Sequence, residues 1–263
     1  MDFVGRYGPW AVVLGASEGL GAAWSRELAR RGVDVVLVAR RAEKLEELAV
    51  ELRGLGRQVR TLSLDLVRPD AQITLAAAVD GLDVGLVVYN ACHSVVGAFM
   101  DVSLEDKLRT LDVNARGPLM MADAWAPRMV ARGRGGILIV SSMSAFQGSA
   151  MVGVYASTKA FDIVLGETLW EELGPKGVDV LVVAAGATLT PNFEGITPES
   201  KRGGAYPMVP ADVAREGLDA LGKQGPTFVP GRMNRMVFGV MSRLPRRWAV
   251  RFISKQTRLM YEG

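Results

Sequence analysis

Six short apolar runs between Trp10 and Val183 alternate with stretches of helical periodicity, and this alternation limits the available folds more than any other feature of the chain. The runs are Trp10–Leu14, Val33–Ala39, Gln58–Leu64, Gly85–Tyr89, Ile137–Val140 and Val178–Val183, with a shorter seventh at Pro226–Val229. Apolar runs of this length bounded by turn residues read as strands buried on both faces, as in a parallel sheet. Helical patterns follow at Leu20–Leu28, Ala42–Leu55, Asp70–Val79, Leu104–Val130 and Val152–Leu173. The succession predicts an α/β fold, one doubly wound parallel sheet of about seven strands with helices on both faces.

Such sheets bind ligands at the carboxyl ends of their strands, and the residues with chemical potential gather there. Gly15-Ala16-Ser17-Glu18-Gly19-Leu20-Gly21 joins the first strand to its helix. Bare N–H groups and the positive end of a helix dipole suit a phosphate at that turn, as in a Rossmann-type dinucleotide fold; an ordinary glycine-rich connection is the plainer alternative. The second strand ends at Arg40-Arg41 with no acid beside it. Arginine there accommodates the 2′-phosphate of NADP(H), where an acid would bind the ribose of NAD, unless the pair only solvates the next helix. Asp65-Leu66 follows the third strand, its carboxylate placed either to accept from an adenine amino group or to cap the next helix. Asn90-Ala91-Cys92 ends the fourth strand at the same edge.

The fifth strand runs on to Ser141-Ser142, and Tyr155 and Lys159 follow near the start of the next helix. Residues four apart share a helix face, so the phenol and the ammonium can point into one cavity. A cation at roughly 4 Å favours the phenolate by about 4 kcal/mol at an effective dielectric near 20, enough to make tyrosine a useful proton donor and acceptor. Taken alone, the pair also reads as a solvated helix face. Asn114 interrupts a long helical stretch, which asparagine tolerates when it faces solvent or joins a polar network.

These residues resemble the short-chain dehydrogenase/reductase family, and the resemblance covers roughly Trp10 to Thr190. It rests on the joint spacing of Gly15, Gly19 and Gly21 with Asn114, Ser142, Tyr155 and Lys159. It implies Tyr155 as general acid/base and Ser142 as the residue that hydrogen-bonds the substrate oxygen. Lys159 would bind the nicotinamide ribose and lower the tyrosine pKa, and Asn114 would hold a water linking lysine to solvent. It also implies cofactor contacts at Gly186, Thr188 and Thr190, and a homodimer or homotetramer. Leu14 stands where the family has threonine, Tyr89-Asn90-Ala91-Cys92 where it has Asn-Asn-Ala-Gly, Ala185 where it has proline, and Glu18 where NADP-preferring members carry a base. The first two changes meet at one junction, where apolar packing is expected to compensate. The implied activity is hydride transfer between NADP(H) and a carbonyl or alcohol. An NAD-dependent alcohol dehydrogenase and a non-catalytic dinucleotide-binding protein of the same fold stand as alternatives.

Residues 187–210 lose periodicity and read as a lid over the site. Substrate-facing candidates are Met143, Phe146, Gln147, Met151, Val152 and Phe193, an apolar set that suits a ketone or secondary alcohol; methionine here is equally at home as core filler. With 49% apolar and 22% charged residues, the 263-residue chain suits a soluble globular protein, and no apolar run is long enough to span a bilayer. Met1–Arg6 lacks the apolar stretch of a signal peptide, and a lone cysteine excludes an internal disulfide, so a cytoplasmic setting is expected. One cysteine and one histidine, His93, also argue against a zinc site or a thiol-based catalyst.

The net charge of +3 hides an asymmetry: residues 231–263 carry eight Lys or Arg and one acid, whereas residues 1–230 sum to −4. Residues 1–230 are expected to form the catalytic domain. The remainder reads as two basic amphipathic helices split at Pro245. That tail leaves three readings open: packing on the enzyme or a partner subunit, peripheral contact with a membrane surface, or docking of an anionic carrier or acyl-CoA. No nucleic-acid-binding module accompanies the charge.

Overall fold

The computed structural model describes residues 1–197, 200 and 206–261. Its strands are β1 (Trp10–Leu14), β2 (Asp34–Ala39), β3 (Val59–Ser63), β4 (Val84–Tyr89), β5 (Gly135–Ser142), β6 (Val178–Ala185) and β7 (Thr227–Phe228). They form one parallel sheet in the order β3-β2-β1-β4-β5-β6-β7. The connection from β3 crosses back over to β4 beside β1, so the strand order reverses between β1 and β4. Helices leave the sheet on opposite faces there, and a cleft opens at the carboxyl ends.

The helices are α1 (Phe3–Tyr7), α2 (Gly19–Arg30), α3 (Ala42–Gly54), α4 (Ala71–Ala78), α5 (Leu104–Leu111), α6 (Gly117–Arg132), α7 (Gly153–Leu173), α8 (Pro191–Ile196), α9 (Pro210–Ala220), α10 (Arg232–Met241) and α11 (Arg246–Tyr261). Because side chains alternate along a strand, β1 feeds two cores at once. Ala11 and Val13 pack with Trp24 and Leu28 of α2, Leu45 and Leu48 of α3, and Val213 and Leu218 of α9. Val12 and Leu14 pack on the other face with Leu75 of α4, Met121 and Trp125 of α6, and Ile163 of α7. Burial on both sides is why β1, β2, β4, β5 and β6 read as apolar runs, whereas β3 at the sheet edge carries Arg60, Thr61 and Ser63 and is largely exposed.

Three elements differ from the sequence expectation. The helix expected over Leu104–Val130 is two helices joined by a π-helical turn at Asp112–Arg116. Pro118 accounts for the break, since it has no N–H and leaves the Asn114 carbonyl without an α-helical donor. A short N-terminal helix, α1, was not anticipated; Asp2 caps it by accepting from the Gly5 N–H, and the Tyr7 hydroxyl donates to Asp179 at 2.6 Å. Part of the lid is helical: α8 starts from Thr190, whose hydroxyl accepts from the Phe193 N–H, while 198–199 and 201–205 lie outside the described residues. Among the described residues no helix is long and apolar enough to cross a membrane.

Candidate active site

At the end of β1 the chain turns through Gly15, whose φ of +85° suits glycine alone among common residues. Its N–H donates to the Val38 carbonyl at 2.7 Å, and the Asn90 amide donates to its carbonyl at 3.1 Å. A Cβ on Gly21 would overlap the Gly15 carbonyl, so α2 can begin directly against the turn only with glycine there. Nothing caps the first turn of α2: Glu18 occupies the N-cap position and makes no side-chain cap hydrogen bond. Free N–H groups and the dipole therefore face a cavity of about 640 Å³, a cradle that fits a dinucleotide pyrophosphate.

Gly15, Ser17, Glu18, Gly19, Leu20, Arg40, Arg41, Asp65, Leu66, Asn90, Ala91, Gly186, Thr188 and Thr190 all line this cavity; Gly21 lies just behind it. Glu18 forms ion pairs with Arg41 at 2.7 Å and Lys44 at 2.8 Å, and Arg41 also donates to the Ser17 hydroxyl. Arg41 foremost, with Lys44, holds the Glu18 carboxyl below its usual range against the effect of burial. The awkward acid at the phosphate edge is thus neutralised, leaving Arg40 to supply charge at the rim. Asp65 pairs with Arg109 of α5 at 2.7 Å; burial raises its pKa, but Arg109 and the Val67 N–H bring the net below the ordinary carboxylate value. Asp65 does not cap the next helix, whose N-cap position is taken by Asp70; one of its oxygens accepts weakly from the Val67 N–H at 3.4 Å in the preceding loop, and the residue lines the cavity.

The two unusual residues at the β1–β4 junction are absorbed by the core, as expected. Leu14 and Tyr89 are each 1% exposed. Tyr89 does more than fill space, since its hydroxyl donates to the Val113 carbonyl at 2.6 Å and fastens β4 to the π-helical turn. Asn90, rather than a threonine, ties the loops together. Cys92 is exposed to the large cavity, and desolvation within the cleft pushes its thiol pKa up, which makes it a poor nucleophile.

Ser142, Tyr155 and Lys159 converge where β5 ends and α7 begins. The Ser142 oxygen accepts from the Ser144 hydroxyl at 2.9 Å and from the Ser144 N–H at 3.2 Å. With both lone pairs engaged, its own proton remains to be donated. A hydrogen bond from Ser142 favours the Tyr155 phenolate, as does Lys159. Burial outweighs both, with Cys92 and Asp162 adding to it, and the phenol is pushed up to about 12. Lys159 does pull the tyrosine pKa down, but its pull is smaller than the desolvation that opposes it.

The reason lies one turn further along α7. Lys159 is 3% exposed and its ammonium donates to the Val140 carbonyl at 2.9 Å and to Asp162 at 3.0 Å. Asp162 is completely buried, and its Oδ1 has no hydrogen-bond partner. Burial dominates its titration and carries the carboxyl up to about 6 despite the lysine. Burial works to lower the Lys159 pKa, but Asp162, Cys92 and Tyr155 together raise it, so the lysine stays charged. Half of its attention goes to a carboxylate that sequence reading passed over.

Asn114 is fully buried in the π-helical turn. Its Oδ1 accepts from the His93 N–H at 2.8 Å, and its Nδ2 donates to the His93 carbonyl at 2.8 Å and to the Thr158 hydroxyl at 3.2 Å. The side chain is committed to those contacts, which tie the His93 backbone and the Thr158 hydroxyl to the π-helical turn.

A second cavity, of about 290 Å³, lies against Tyr155 and is walled by Val95, Phe99, Val102, Met151 and Val154, with Lys107 and Arg258 also in its lining. Met143, Val152 and Phe193 line the larger cavity and Met151 the smaller, as the sequence suggested. Phe146 and Gln147 line neither: Phe146 turns away to pack on Phe238 of α10, ring centroids 4.3 Å apart. Thr257, Met260 and Tyr261 of α11 close the larger cavity, a contribution that the tail's composition did not reveal. Replacing Ser144 by alanine removes the brace on Ser142, and kcat for carbonyl reduction is expected to fall about fivefold to tenfold with little change in KM; a rise in KM alone would show that Ser144 acts on binding.

Residues 9–201 match the family model for short chain dehydrogenases, and the chain belongs to that family. Over 236 residues it is 35% identical to a 7β-hydroxysteroid dehydrogenase of Clostridium sardiniense, covering 89% of this chain and 90% of the other. A very-long-chain 3-oxoacyl-CoA reductase of Podospora anserina is 35% identical over 185 residues, 68% of this chain and 54% of the other. Among solved structures, one from a study of 7β-hydroxysteroid dehydrogenase stereoselectivity superposes with a TM-score of 0.89 at 31% identity, covering 96% of this chain and 99% of that one. A short-chain dehydrogenase from Sphingobium yanoikuyae in complex with NADPH gives a TM-score of 0.77 at 29% identity, covering 90% of this chain and 97% of that one.

Proposed function

We propose that the protein is an NADP(H)-dependent oxidoreductase that interconverts a bulky apolar ketone and its secondary alcohol, a hydroxysteroid or a molecule of similar bulk. The observation that carries this reading is the position of Tyr155, which lines both the nucleotide-sized cavity and the smaller apolar one. The names of the two relatives above support a bulky lipophilic substrate, and Arg40 supports the phosphorylated cofactor. Bound nicotinamide supplies or accepts the hydride. In reduction, the Ser142 hydroxyl donates a hydrogen bond to the carbonyl oxygen and keeps its proton, while Tyr155 transfers the phenolic proton that becomes the alcohol's. A phenol titrating near 12 is protonated at neutral pH, so the site rests in its reducing form. Lys159 stabilises the transient phenolate until a proton from solvent returns to it, and the walls of the small cavity surround the substrate carbonyl. In the same reading residues 1–230 carry the chemistry and residues 231–263 complete the cavity wall.

Fluorescence titration with NADPH and NADH tests the cofactor assignment. Tight NADPH binding and weak NADH binding are expected, and Arg40→Asp should lower that preference at least about tenfold by replacing a charge-assisted contact with repulsion. An unchanged preference in the variant would sink the assignment to Arg40, and failure to bind either nucleotide would sink the enzymatic reading.

A further inference from the structure

Helix α11 has two finished faces. Its inner face is fixed to the catalytic domain: Ala249 is buried, the Ser254 hydroxyl accepts from the Ala150 N–H at 3.0 Å, and Thr257 bonds the Ser149 hydroxyl at 3.0 Å. The outer face should then be an ordinary polar surface. Instead it exposes Trp248, Phe252 and Leu259, at 67%, 53% and 62%. At 100° per residue these three fall within about 40° of one another, so they form a single stripe. Arg247, Arg251 and Lys255, all exposed, flank it. Nearby in the chain, α10 exposes Met233, Met236, Val237 and Val240.

The charge accompanying these apolar residues is of one sign. From Gly231 to Tyr261 there are eight Lys or Arg and no Asp or Glu, in a chain whose first 230 residues are net negative. A symmetric contact between two copies of this face would set like charges against each other with no carboxylate between them. A layer of anionic headgroups over hydrocarbon satisfies both features, taking the aromatic and aliphatic tips below the headgroups and the cations among them.

We infer that the outer face of α11 docks the protein on the surface of an anionic lipid bilayer. The same helix supplies Thr257, Met260 and Tyr261 to the cavity wall, so docking brings the reaction site close to a reservoir of lipophilic molecules. The docking itself does not depend on the proposed reaction, and its test uses neither substrate nor cofactor.

The full-length protein is sedimented with vesicles of phosphatidylcholine alone and with vesicles in which about a third is phosphatidylglycerol. Co-sedimentation with the anionic vesicles only, released as salt shortens the screening length, is expected. Arg247→Gln/Arg251→Gln/Lys255→Gln should weaken partition on the order of a hundredfold, at about fivefold per charge. Trp248→Ser/Phe252→Ser should weaken it at least about tenfold by removing the inserted side chains. Circular dichroism of both variants shows whether the fold is intact. Absence of binding to anionic vesicles, or binding that ignores both variants, overturns the inference. A fall in sedimentation-equilibrium mass for Trp248→Ser/Phe252→Ser, without loss of vesicle binding, assigns the face to a second copy of the chain and overturns it equally.

Discussion

Tyr155→Phe is expected to lower kcat for carbonyl reduction by about a thousandfold while leaving NADPH affinity within about twofold of the parent protein. The substitution removes one oxygen and one transferable proton. It preserves the ring that packs at the start of α7, and Ser142, Lys159 and the glycine turn keep their positions. The Ser142 hydroxyl can still polarise a carbonyl, so a residual rate remains. Stopped-flow cofactor titration beside steady-state kinetics separates the two quantities; a thousandfold loss of NADPH affinity would mean that the phenol is part of the cofactor cradle and that the proton comes from elsewhere.

Asp162→Asn is expected to gain stability relative to the parent protein as pH rises towards neutrality, and to shift the pH–rate profile. The sign follows from the direction of the carboxyl's titration. Its folded-state pKa stands at about 6, above the ordinary 3.8, because burial opposes the charged form more than Lys159 favours it. Between those values the folded state holds a proton that the unfolded state has released, so the contribution of this group to stability falls as pH rises through the window. Asparagine resembles the protonated acid and has no such loss. Relative to the parent, the variant should therefore gain stability between about pH 4 and pH 6, on top of a pH-independent cost of leaving the buried Lys159 without its carboxylate. Removing the carboxylate also returns the Lys159 charge to Tyr155, so the basic limb of alcohol oxidation should move to lower pH by about one unit. Denaturation at several pH values measures the first effect and kcat against pH the second. A difference in stability that does not vary with pH would show that Asp162 is ionised throughout, held by the lysine more strongly than burial opposes it.

Most of the sheet was legible because burial on both faces writes itself into sequence as apolar runs, and β1 through β6 lie within a few residues of where those runs fall. The nucleotide edge was legible for a different reason. Gly15 and Gly21 are required by close backbone approach, a constraint that leaves a residue type behind. Asp162 left no such mark: a single aspartate in an amphipathic stretch reads as solvent-facing, and only the packing of α7 against β5 reveals that it is enclosed. Phe146 was misplaced because an aromatic just after a catalytic serine has two ways to turn, and Phe238, nearly a hundred residues later, decides between them. The role of α11 as a wall was hidden likewise, since amphipathicity shows that a helix has an inner face without showing what that face covers.

Met151 adopts a φ of +67°, a conformation that costs a side-chain-bearing residue about 1 kcal/mol, and the Gly97 N–H donates to its carbonyl at 2.8 Å. Both residues line the smaller cavity, so this hydrogen bond ties two parts of its lining together. That edge of the cavity is therefore drawn in backbone rather than in side chains: a bend that a methionine adopts at a cost is held by one hydrogen bond, so the lining at this point is fixed by the chain's own path.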